Sequence, residues 1–379
     1  MTEKLYYLDA YISEFDAHIV SKEKYNDNWR VVLDRTAFFP EEGGQSADGG
    51  SIGGATVLDV KELDGEIYHI LGALPDSDEV KCSIDFKTRF EKMQCHTAEH
   101  ILCGIIHRLF GYENVGFHLG DDVVTFDVDG ELSAEDIDNI ELLANRAVFE
   151  NRKVTASFPS PGELCALEYR AKLELTEKVR IVNIEGVDSC ACCAPHVSYT
   201  GEIGIIKIVD FMRHRGGMRL FMQSGYRALD DYKARYGITR AIGAMTSTPS
   251  LDTLAAVERL TEERDRLSGE LAISSLRYAA ALADSVEATE NNAVCFMEGA
   301  TVEAMRELAN KALPKVGGML AVITGYEGNY RYVIASRTKN LRDFGCEINA
   351  ALSGKGGGRP EMITGTFSAS LSDIREYFK

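Results

Sequence analysis

The chain has 379 residues, of which 45% are hydrophobic and 26% are charged, and its formal net charge is −18. This composition is ordinary for a globular protein and excludes extended disorder, and no apolar run reaches the roughly 18 residues of a membrane span. The negative charge argues against a generally basic, nucleic-acid-binding surface, although a local basic stripe can exist on an acidic protein.

The N-terminal residues and the cysteines indicate the cellular compartment. Residues 1–9 lack a basic segment followed by an apolar one, so we expect no signal peptide. The nine cysteines are an odd number, and Cys190, Cys192 and Cys193 lie close together in sequence. This usage is typical of a reduced protein with a metal site rather than of a disulfide scaffold. We therefore expect a cytoplasmic protein that makes no contact with membranes.

The first two regions of the chain predict an α+β protein. Residues 1–85 contain short β-branched runs between Gly, Asp and Asn clusters, and they predict a small β-barrel-like N-terminal domain. Residues 86–245 mix helical and strand patterns and predict a central α+β domain. The elements expected there are helices at 87–110 and 134–151, the second capped by Ser133, and strands at 115–127 and 203–209.

The last two regions predict a long helix and a separate domain. Residues 246–288 form a helical linker, in which a heptad rhythm links Val257, Leu260, Arg264, Leu267 and Leu271. This pattern fits a helix packed on its own domain as well as a coiled-coil seam that joins two subunits, and Arg264 weakens the second alternative. Strand and helix patterns alternate in residues 289–379 and predict a C-terminal α/β domain.

The segment His96-Thr97-Ala98-Glu99-His100 is the sharpest local motif. Residues four apart on a helix are neighbours, so His96 and His100 can share one metal ion. The segment also fits the His-x-x-Glu-His pattern of zinc proteases, in which Glu99 would be the general base. That class completes its site with a distant carboxylate, which would leave the cysteine cluster without a role.

The second motif is Cys190-Ala191-Cys192-Cys193-Ala194-Pro195-His196. A thiolate and an imidazole at the spacing of Cys192 and His196 commonly complete a tetrahedral zinc site. Alone, the cluster also fits a redox pair of Cys190 and Cys193 or buried apolar cysteines. Together with the histidine pair it supplies a full ligand set, namely His96, His100, Cys192 and His196.

Two glycine-rich segments and one basic run have weaker implications. Glu42-Gly43-Gly44-Gln45 and Gly354–Arg359 match no phosphate-loop consensus, although glycines let a backbone approach a ligand closely. Lys355 and Arg359 fit phosphate contacts, and a flexible turn is the alternative. Arg213 and Arg215 belong to the densest basic run, which fits either a nucleic-acid backbone contact or a solvated hairpin.

These motifs, in this order, resemble the alanyl-tRNA editing proteins, the free-standing relatives of the alanyl-tRNA synthetase editing domain. Phe38–Gln45 is similar to the family's glycine-rich motif, with Glu42 where the family has a glycine. His96–His100 matches the first zinc pair and Cys192–His196 the second. Residues 250–379 resemble the helical extension and glycine-rich C-terminal domain of the long editing proteins.

The resemblance implies hydrolysis of the ester that joins serine or glycine to the 3′ end of the tRNA for alanine, with one zinc ion per chain. Val115–His118 occupies the family's pocket region, which makes His118, with Glu99, a candidate catalytic residue. The implied substrate contacts are Gly43, Gly44, Gln45, Phe117, Arg213, Arg215, Lys355 and Arg359. The partner would be mischarged tRNA, and a homodimer through the C-terminal region is a further option. The rival functions are a zinc protease and a tRNA-binding protein with structural zinc.

Overall fold

The computed structural model describes residues 2–120, 123–171 and 179–379, which form two compact units, Met1–Ile238 and Thr239–Lys379. Both units mix helices and strands, as the α+β prediction requires. Among the described residues, no helix has the length and apolarity needed to cross a bilayer. The finer division of the chain at residues 85, 245 and 288 remains a prediction.

The first unit begins with a closed β-barrel. Along these strands apolar residues alternate with polar ones, so one side of each strand fills the barrel core, which includes Phe38, Ile52 and Val60. Six antiparallel strands close in the order β2-β3-β7-β6-β5-β8, while β1 pairs with β4. The strands are β1 (Glu3–Lys4), β2 (Glu14–Tyr25), β3 (Asn28–Leu33), β4 (Arg35–Thr36), β5 (Gly50–Ile52), β6 (Ala55–Leu63), β7 (Glu66–Leu71) and β8 (Glu79–Ile84).

Helix α1, Phe86–Phe110, is the centre of the first unit. The Asp85 side chain accepts a hydrogen bond from the Thr88 amide at the start of the helix, and Gly111 ends it in the left-handed conformation. Nearly every residue from Met93 to Ile106 is buried. This helix therefore carries its motif inside the protein rather than on a solvated face.

The remaining strands of the first unit form two antiparallel sheets around α1, in the orders β14-β15-β10-β9 and β11-β12-β13. The helices are α2 (Ala134–Phe149) and α3 (Pro161–Leu164), and the strands are β9 (Asn114–Leu119), β10 (Val124–Val128), β11 (Val154–Ser157), β12 (Ile181–Ile184), β13 (Asp188–Ala191), β14 (Ile206–His214) and β15 (Gly217–Ser224). Ser133 caps α2 through a capping box, which confirms that prediction.

Two predicted strands of this region need correction. The strand expected at 115–127 is two strands, β9 and β10, and residues 121–122 of it lie outside the described residues. The strand expected at 203–209 begins only at Ile206, because Thr200–Ile203 forms a 3₁₀ turn. Gly204 follows that turn with a φ of +81°, a backbone conformation that interrupts a strand.

Two long helices follow, α4 (Gly225–Thr246) and α5 (Thr253–Ser285). The end of α5 buries Ala279 and Ala283 in the core of the second unit. By contrast, Leu260 and Leu271 of the heptad rhythm remain 59% and 60% exposed. The C-terminal end of the helix therefore packs on the core of the second unit, while these heptad residues remain largely exposed.

The second unit is a three-layer α/β domain. Its five-stranded sheet has the order β16-β17-β18-β20-β19, and only β16 and β17 are parallel. Each face of the sheet has its own apolar core. In one core the sheet residues pack with α5 and α6, and in the other they pack with α7 and α8. The elements are β16 (Ala293–Phe296), α6 (Val302–Ala312), β17 (Met319–Tyr326), β18 (Asn329–Ser336), α7 (Leu341–Ala351), β19 (Gly354–Arg359), β20 (Met362–Phe367) and α8 (Leu371–Tyr377).

The second glycine-rich segment is strand β19 at the edge of this sheet, so the alternative of a flexible turn is wrong. Its glycines allow close packing against the neighbouring strand. A Cβ atom on Gly356 would stand 2.3 Å from the Tyr332 hydroxyl, whereas one on Gly357 would meet nothing within 4 Å. Only one side of the strand therefore requires glycine.

Candidate metal centre

Helix α1 presents His96 and His100 on one face, one turn apart, as the sequence predicts. Both side chains are buried, and their ring centroids lie 5.4 Å apart. Each ring also lies within 5 Å of the His196 ring, at 4.9 Å from His96 and 4.7 Å from His100. The fold therefore brings His196 next to a histidine pair that precedes it by about a hundred residues in sequence.

The segment after β13 supplies His196 and a thiol. The Cys192 sulfur lies 3.6 Å from Nε2 of His96 and 3.3 Å from Nε2 of His196. Cys192 also packs against the barrel core and against the core around α1, so the cluster lies where these two cores meet.

The spacing of these four side chains fits one metal ion. All their candidate ligand atoms lie within 4.8 Å of one another. In a tetrahedral zinc site, bonds of about 2.3 Å to sulfur and about 2.0 Å to nitrogen leave sulfur and nitrogen about 3.5 Å apart. The observed separations of 3.6 and 3.3 Å agree with that value. This cluster can therefore hold a metal.

Hydrogen bonds orient all three imidazoles in the same sense. Nδ1 of His96 lies 2.9 Å from Oε1 of Gln45, and Nδ1 of His100 lies 3.2 Å from Oδ2 of Asp188. An amide or carboxylate oxygen can only accept, so each Nδ1 carries the proton. The Nε2 atom of each ring is then the lone-pair donor that a metal requires.

The third imidazole is oriented by a threonine inside the histidine motif. The Thr97 hydroxyl donates to the Met93 carbonyl at 2.8 Å, so its oxygen accepts the proton on Nδ1 of His196 at 3.0 Å. Burial lowers the pKa of His196 to about 3, which keeps this ring neutral at physiological pH. Neutral imidazole is the form that binds metals.

The first glycine-rich segment reaches the cluster through Gln45. Gly43 and Gly44 have φ angles of +63° and +83°, which place the buried Gln45 side chain next to His96. A Cβ atom on Gly44 would stand 2.5 Å from the Phe117 carbonyl oxygen. The position therefore requires glycine for its conformation as well as for the close approach of β9.

The loop after Gln45 is tied to α1 by buried charges. Nε of Arg89 donates to Asp48 at 2.9 Å, and both side chains are almost fully buried. Lys92 donates to the Ala47 carbonyl at 2.6 Å. These contacts fix the barrel loop against the helix that carries the two histidines.

Charges beside the cluster favour metal binding. Nε and one terminal nitrogen of Arg170 each donate to Asp188 at 2.8 Å. Burial raises the pKa of Asp188, but the hydrogen bonds from His100 and Arg170 outweigh it and hold that pKa at about 2. Burial likewise raises the pKa of the Cys192 thiol, and the neighbouring His96 and His196 outweigh it and hold it well below its usual range. The thiolate is the metal-binding form of cysteine.

A cavity of about 440 Å³ opens onto the cluster. The residues that line it come from the barrel domain, α1 and the segments around β11–β13. They include Tyr7, Glu42, Gly43, His96, Glu99, His100, Phe158, Arg170, Arg180, Cys192 and Cys193. A larger cavity of about 1080 Å³ adjoins it and shares Arg170 and Cys190. The smaller cavity is the candidate site, because it is the one that reaches His96, His100 and Cys192.

Glu99 lines this cavity although it lies one position away from the shared face of the histidine pair. Its carboxylate oxygen Oε2 is 4.0 Å from Nε2 of His100. The other oxygen accepts hydrogen bonds from the Asn114 amide and, at 3.3 Å, from the Cys103 thiol. Glu99 is therefore a buried carboxylate held beside the cluster.

The position of His118 does not support its predicted role. Successive residues of a strand point to opposite faces, and Phe117 occupies the face of β9 toward the cluster, with its ring 4.8 Å from that of His96. His118 consequently points the other way and is exposed. The catalytic role of His118 stays a prediction, while Phe117 does contact the cluster.

The predicted phosphate contacts lie elsewhere. Arg213 and Arg215 belong to the exposed hairpin between β14 and β15, where Arg213 pairs with Glu131 at 3.0 Å. Lys355 and Arg359 are exposed on β19 of the second unit. All four of these cationic side chains are exposed.

Three residues of the site were not predicted from the sequence. Asp188 and Arg170 support His100, and Asn114 supports Glu99. Asp188 precedes Cys192 by four residues, but an isolated acidic residue in a strand is uninformative. Arg170 is distant in sequence from every motif, and Asn114 directly precedes Val115–His118 without belonging to it, so only the fold reveals their roles.

The fold and the cluster define a two-unit α+β protein with a buried three-histidine, one-cysteine candidate metal centre. Residues 179–221, which include Cys192 and His196, match the family model described as the threonyl and alanyl tRNA synthetase second additional domain. The alanyl-tRNA editing protein AlaX-M of Methanosarcina acetivorans is 38% identical over 231 residues, which cover 55% of this chain and 92% of that protein.

Two relatives extend the similarity over almost the whole chain. The alanyl-tRNA editing protein AlaX-L of Pyrococcus horikoshii is 29% identical over 99% of this chain and 96% of its own length. The alanyl-tRNA editing protein Aarsd1 of Danio rerio is 26% identical over 94% of this chain and 92% of its own length. The chain belongs to the alanyl-tRNA editing protein family.

Proposed function

We propose that this chain is a trans-acting aminoacyl-tRNA deacylase, which hydrolyses the ester between a wrongly attached serine or glycine and the tRNA for alanine. One observation carries the proposal: a chain of the alanyl-tRNA editing family holds a buried His₃Cys cluster that opens onto a cavity of about 440 Å³. That size suits a small ligand such as an aminoacylated nucleoside.

The metal in this proposal is one zinc ion, held by His96, His100, Cys192 and His196. Three imidazoles and a thiolate at tetrahedral spacing are a donor set that zinc prefers. Four protein ligands close a tetrahedral site, whereas catalytic zinc keeps an open position. A zinc ion bound there would therefore either act as a Lewis acid toward the carbonyl of the ester, with one ligand displaced by water or substrate, or shape the pocket while an uncoordinated water attacks. Gln45 would support this site by holding the His96 ring with Nε2 toward the metal.

Glu99 is the proposed proton acceptor for the attacking water. Its carboxylate lines the cavity, and the Asn114 amide and the Cys103 thiol hold the other carboxylate oxygen. A carboxylate fixed in this way can take a proton without first having to change its rotamer. Buried polar groups also allow the site to distinguish two amino acids by a hydroxyl group. A substrate that lacks the hydroxyl leaves those polar groups unpaired, which lowers the rate by up to roughly 10⁴-fold.

Both rival functions fit the molecule less well. A His-x-x-Glu-His protease completes its site with a distant carboxylate, whereas here Cys192 and His196 complete the cluster. A purely structural zinc would not need a cavity that reaches three of its four ligands. Family membership also favours deacylation over either alternative.

Further parts of the proposal concern partners. Arg213 and Arg215, with Lys355 and Arg359, supply exposed cations for the tRNA backbone on an otherwise acidic protein. The exposed heptad residues of α5 would support a homodimer. Nine cysteines without a disulfide fit the reducing cytoplasm.

Deacylation of the tRNA for alanine charged with serine, glycine or alanine tests the function. We expect zinc-loaded protein to release serine or glycine at least about 100-fold faster than alanine, a ratio within the reach of hydroxyl or size discrimination. If zinc-loaded protein released neither serine nor glycine, nor the amino acid of any other charged tRNA in a panel, a tRNA-binding protein with structural zinc would become the favoured alternative.

A further inference from the structure

The wall of the cavity contains two aromatic side chains that have no role in the metal cluster. Tyr7 belongs to the 3₁₀ turn Leu5–Tyr7, and Phe158 follows β11. Their rings pack edge to face, with centroids 5.4 Å apart and an interplanar angle of 75°. In this arrangement at least one face of each ring is not covered by the other.

Phe158 is an apolar side chain left open beside a polar site. It is 48% exposed, although it lines the cavity and contacts Tyr7. Phe158 lies two residues before Ser160, which forms a capping box with Glu163 at the start of α3. An aromatic ring that packs against a second ring and is open to a cavity is a platform for a flat ligand.

A cation links this aromatic pair to the metal ligands. The Arg180 guanidinium lies 5.3 Å from the centre of the Tyr7 ring, within the range of a cation–π interaction. One of its nitrogens donates to the carbonyls of Cys192 and Ala194, both at 2.9 Å. Arg180 therefore links Tyr7, and through it the aromatic pair, to the segment that carries Cys192 and His196.

The proposed substrate contains a flat group that must lie close to the reacting ester. The amino acid is esterified to the ribose of the 3′-terminal adenosine, so only that sugar separates the ester from an adenine base. If the ester reaches His96, His100 and Cys192, the adenine must lie in the same cavity or at its mouth. Single-stranded bases are commonly bound by stacking on aromatic side chains.

We propose that Phe158 and Tyr7 form a base-stacking subsite for the 3′-terminal adenosine of the tRNA, with Arg180 holding the subsite in register with the metal cluster. This inference rests on the proposed function and adds the contact that places the ester. Phe158 is the open stacking surface, and Tyr7 supports it from the side.

The first test measures binding without turnover. Trp29 is the only tryptophan of the chain, so a Trp29→Phe, Phe158→Trp double variant reports on position 158 alone. The probe is an uncharged RNA minihelix ending in CCA, compared with the same minihelix ending in CC. We expect the CCA probe to quench the fluorescence and to bind at least roughly 5-fold more tightly. Equal affinity and equal quenching by both probes would overturn the subsite.

The second test measures catalysis on a serine-charged minihelix. Phe158→Ala should lower kcat/KM by roughly 5- to 150-fold, the range of one stacking interaction, whereas Phe158→Tyr should keep nearly full activity. The matched control is Phe149→Ala, because Phe149 is 76% exposed but lies outside the cavity lining. Metal content should be equal in all variants.

The two tests separate this inference from the proposed function. Normal activity of Phe158→Ala would overturn the subsite while the deacylase assignment stands. An inactive wild-type protein would overturn the deacylase assignment, and the fluorescence comparison would still decide whether the subsite binds the terminal adenosine.

Discussion

The two glycine-rich segments of this chain look alike in sequence and differ in structure. In the first, Gly43 and Gly44 turn the backbone so that Gln45 is buried against His96. In the second, Gly354–Arg359 is an exposed edge strand that presents Lys355 and Arg359. The first segment therefore supports the metal centre, while the second offers cations at the surface.

The comparison shows that the requirement for glycine at a position depends on its backbone conformation and on the atoms that approach it. Gly44 is required by its positive φ and by the Phe117 carbonyl, and Gly356 by the Tyr332 hydroxyl. Gly357 faces open space. The two segments should therefore respond differently to substitution, the first in metal affinity and activity, the second in stability and tRNA affinity.

The largest effect is expected at Gln45. Gln45→Ala removes the acceptor for Nδ1 of His96, and the loss of such an orienting partner typically costs roughly 10- to 100-fold in metal affinity. Zinc affinity can be measured by competition with a chelator. Gln45→Glu keeps an acceptor oxygen and should retain most of the affinity. A Gln45→Ala variant with unchanged zinc affinity would break the link between the first segment and the centre.

The barrel that carries the first segment should lose stability in mild acid because of His69. This buried ring accepts from the Thr36 hydroxyl and donates to the Val31 carbonyl, at 2.9 and 3.2 Å, and burial lowers its pKa to about 4. The unfolded chain, with a pKa of about 6.5, binds more protons between these values, so stability falls as the pH decreases.

Lowering the pH from 7 to 5 should therefore cost about 2 kcal/mol at this residue. Urea unfolding, followed by Trp29 fluorescence at both pH values, measures this cost. His69→Gln should reduce the pH dependence by that amount. Identical pH dependence in wild type and His69→Gln would show that His69 is not the titrating group.

The second segment should be sensitive to packing at one glycine and not at its neighbour. Gly356→Ala would bring a Cβ within 2.3 Å of the Tyr332 hydroxyl, which should destabilise the second unit by about 1–3 kcal/mol. Gly357→Ala, with open space around it, is the matched control. Hydrogen exchange of the amides of β18 and β20 measures the change. Faster exchange in both variants, or in neither, would contradict the assignment of the two faces.

The smallest effect is expected for the cations of the second segment. Lys355→Ala with Arg359→Ala should weaken binding of full-length tRNA by roughly 3- to 10-fold and lower the salt dependence of binding by up to about 2 in log–log slope. Zinc affinity and turnover of a charged minihelix should stay unchanged. Binding that keeps its affinity and its salt slope would exclude these residues as phosphate contacts.

The sequence predicts those parts of the molecule that depend on local patterns. The helix around His96 and His100, the Ser133 cap and the ligand set all follow from short-range spacing, and the structure brings the four ligands together. The exposure of His118 could not be predicted, because strand alternation at β9 depends on which face meets α1, and the motif does not reveal that face.

Contacts between distant segments could not be predicted. Arg170 reaches Asp188 because its segment pairs with β13, and Asn114 reaches Glu99 because β9 packs against α1. The two glycine-rich segments posed the same problem, since the sequence around each fits a turn. Their structures differ because Gln45 has a buried partner, while β19 has a neighbouring strand to pair with.

The central claim is that the His₃Cys cluster is the centre of deacylation, and its most direct test is the rate of serine release from charged tRNA as zinc is added to metal-free protein. We predict almost no release without metal, a rise that ends at one equivalent of zinc per chain, and no recovery in Cys192→Ala. Full activity in metal-free protein, or in a folded Cys192→Ala variant, would contradict the claim.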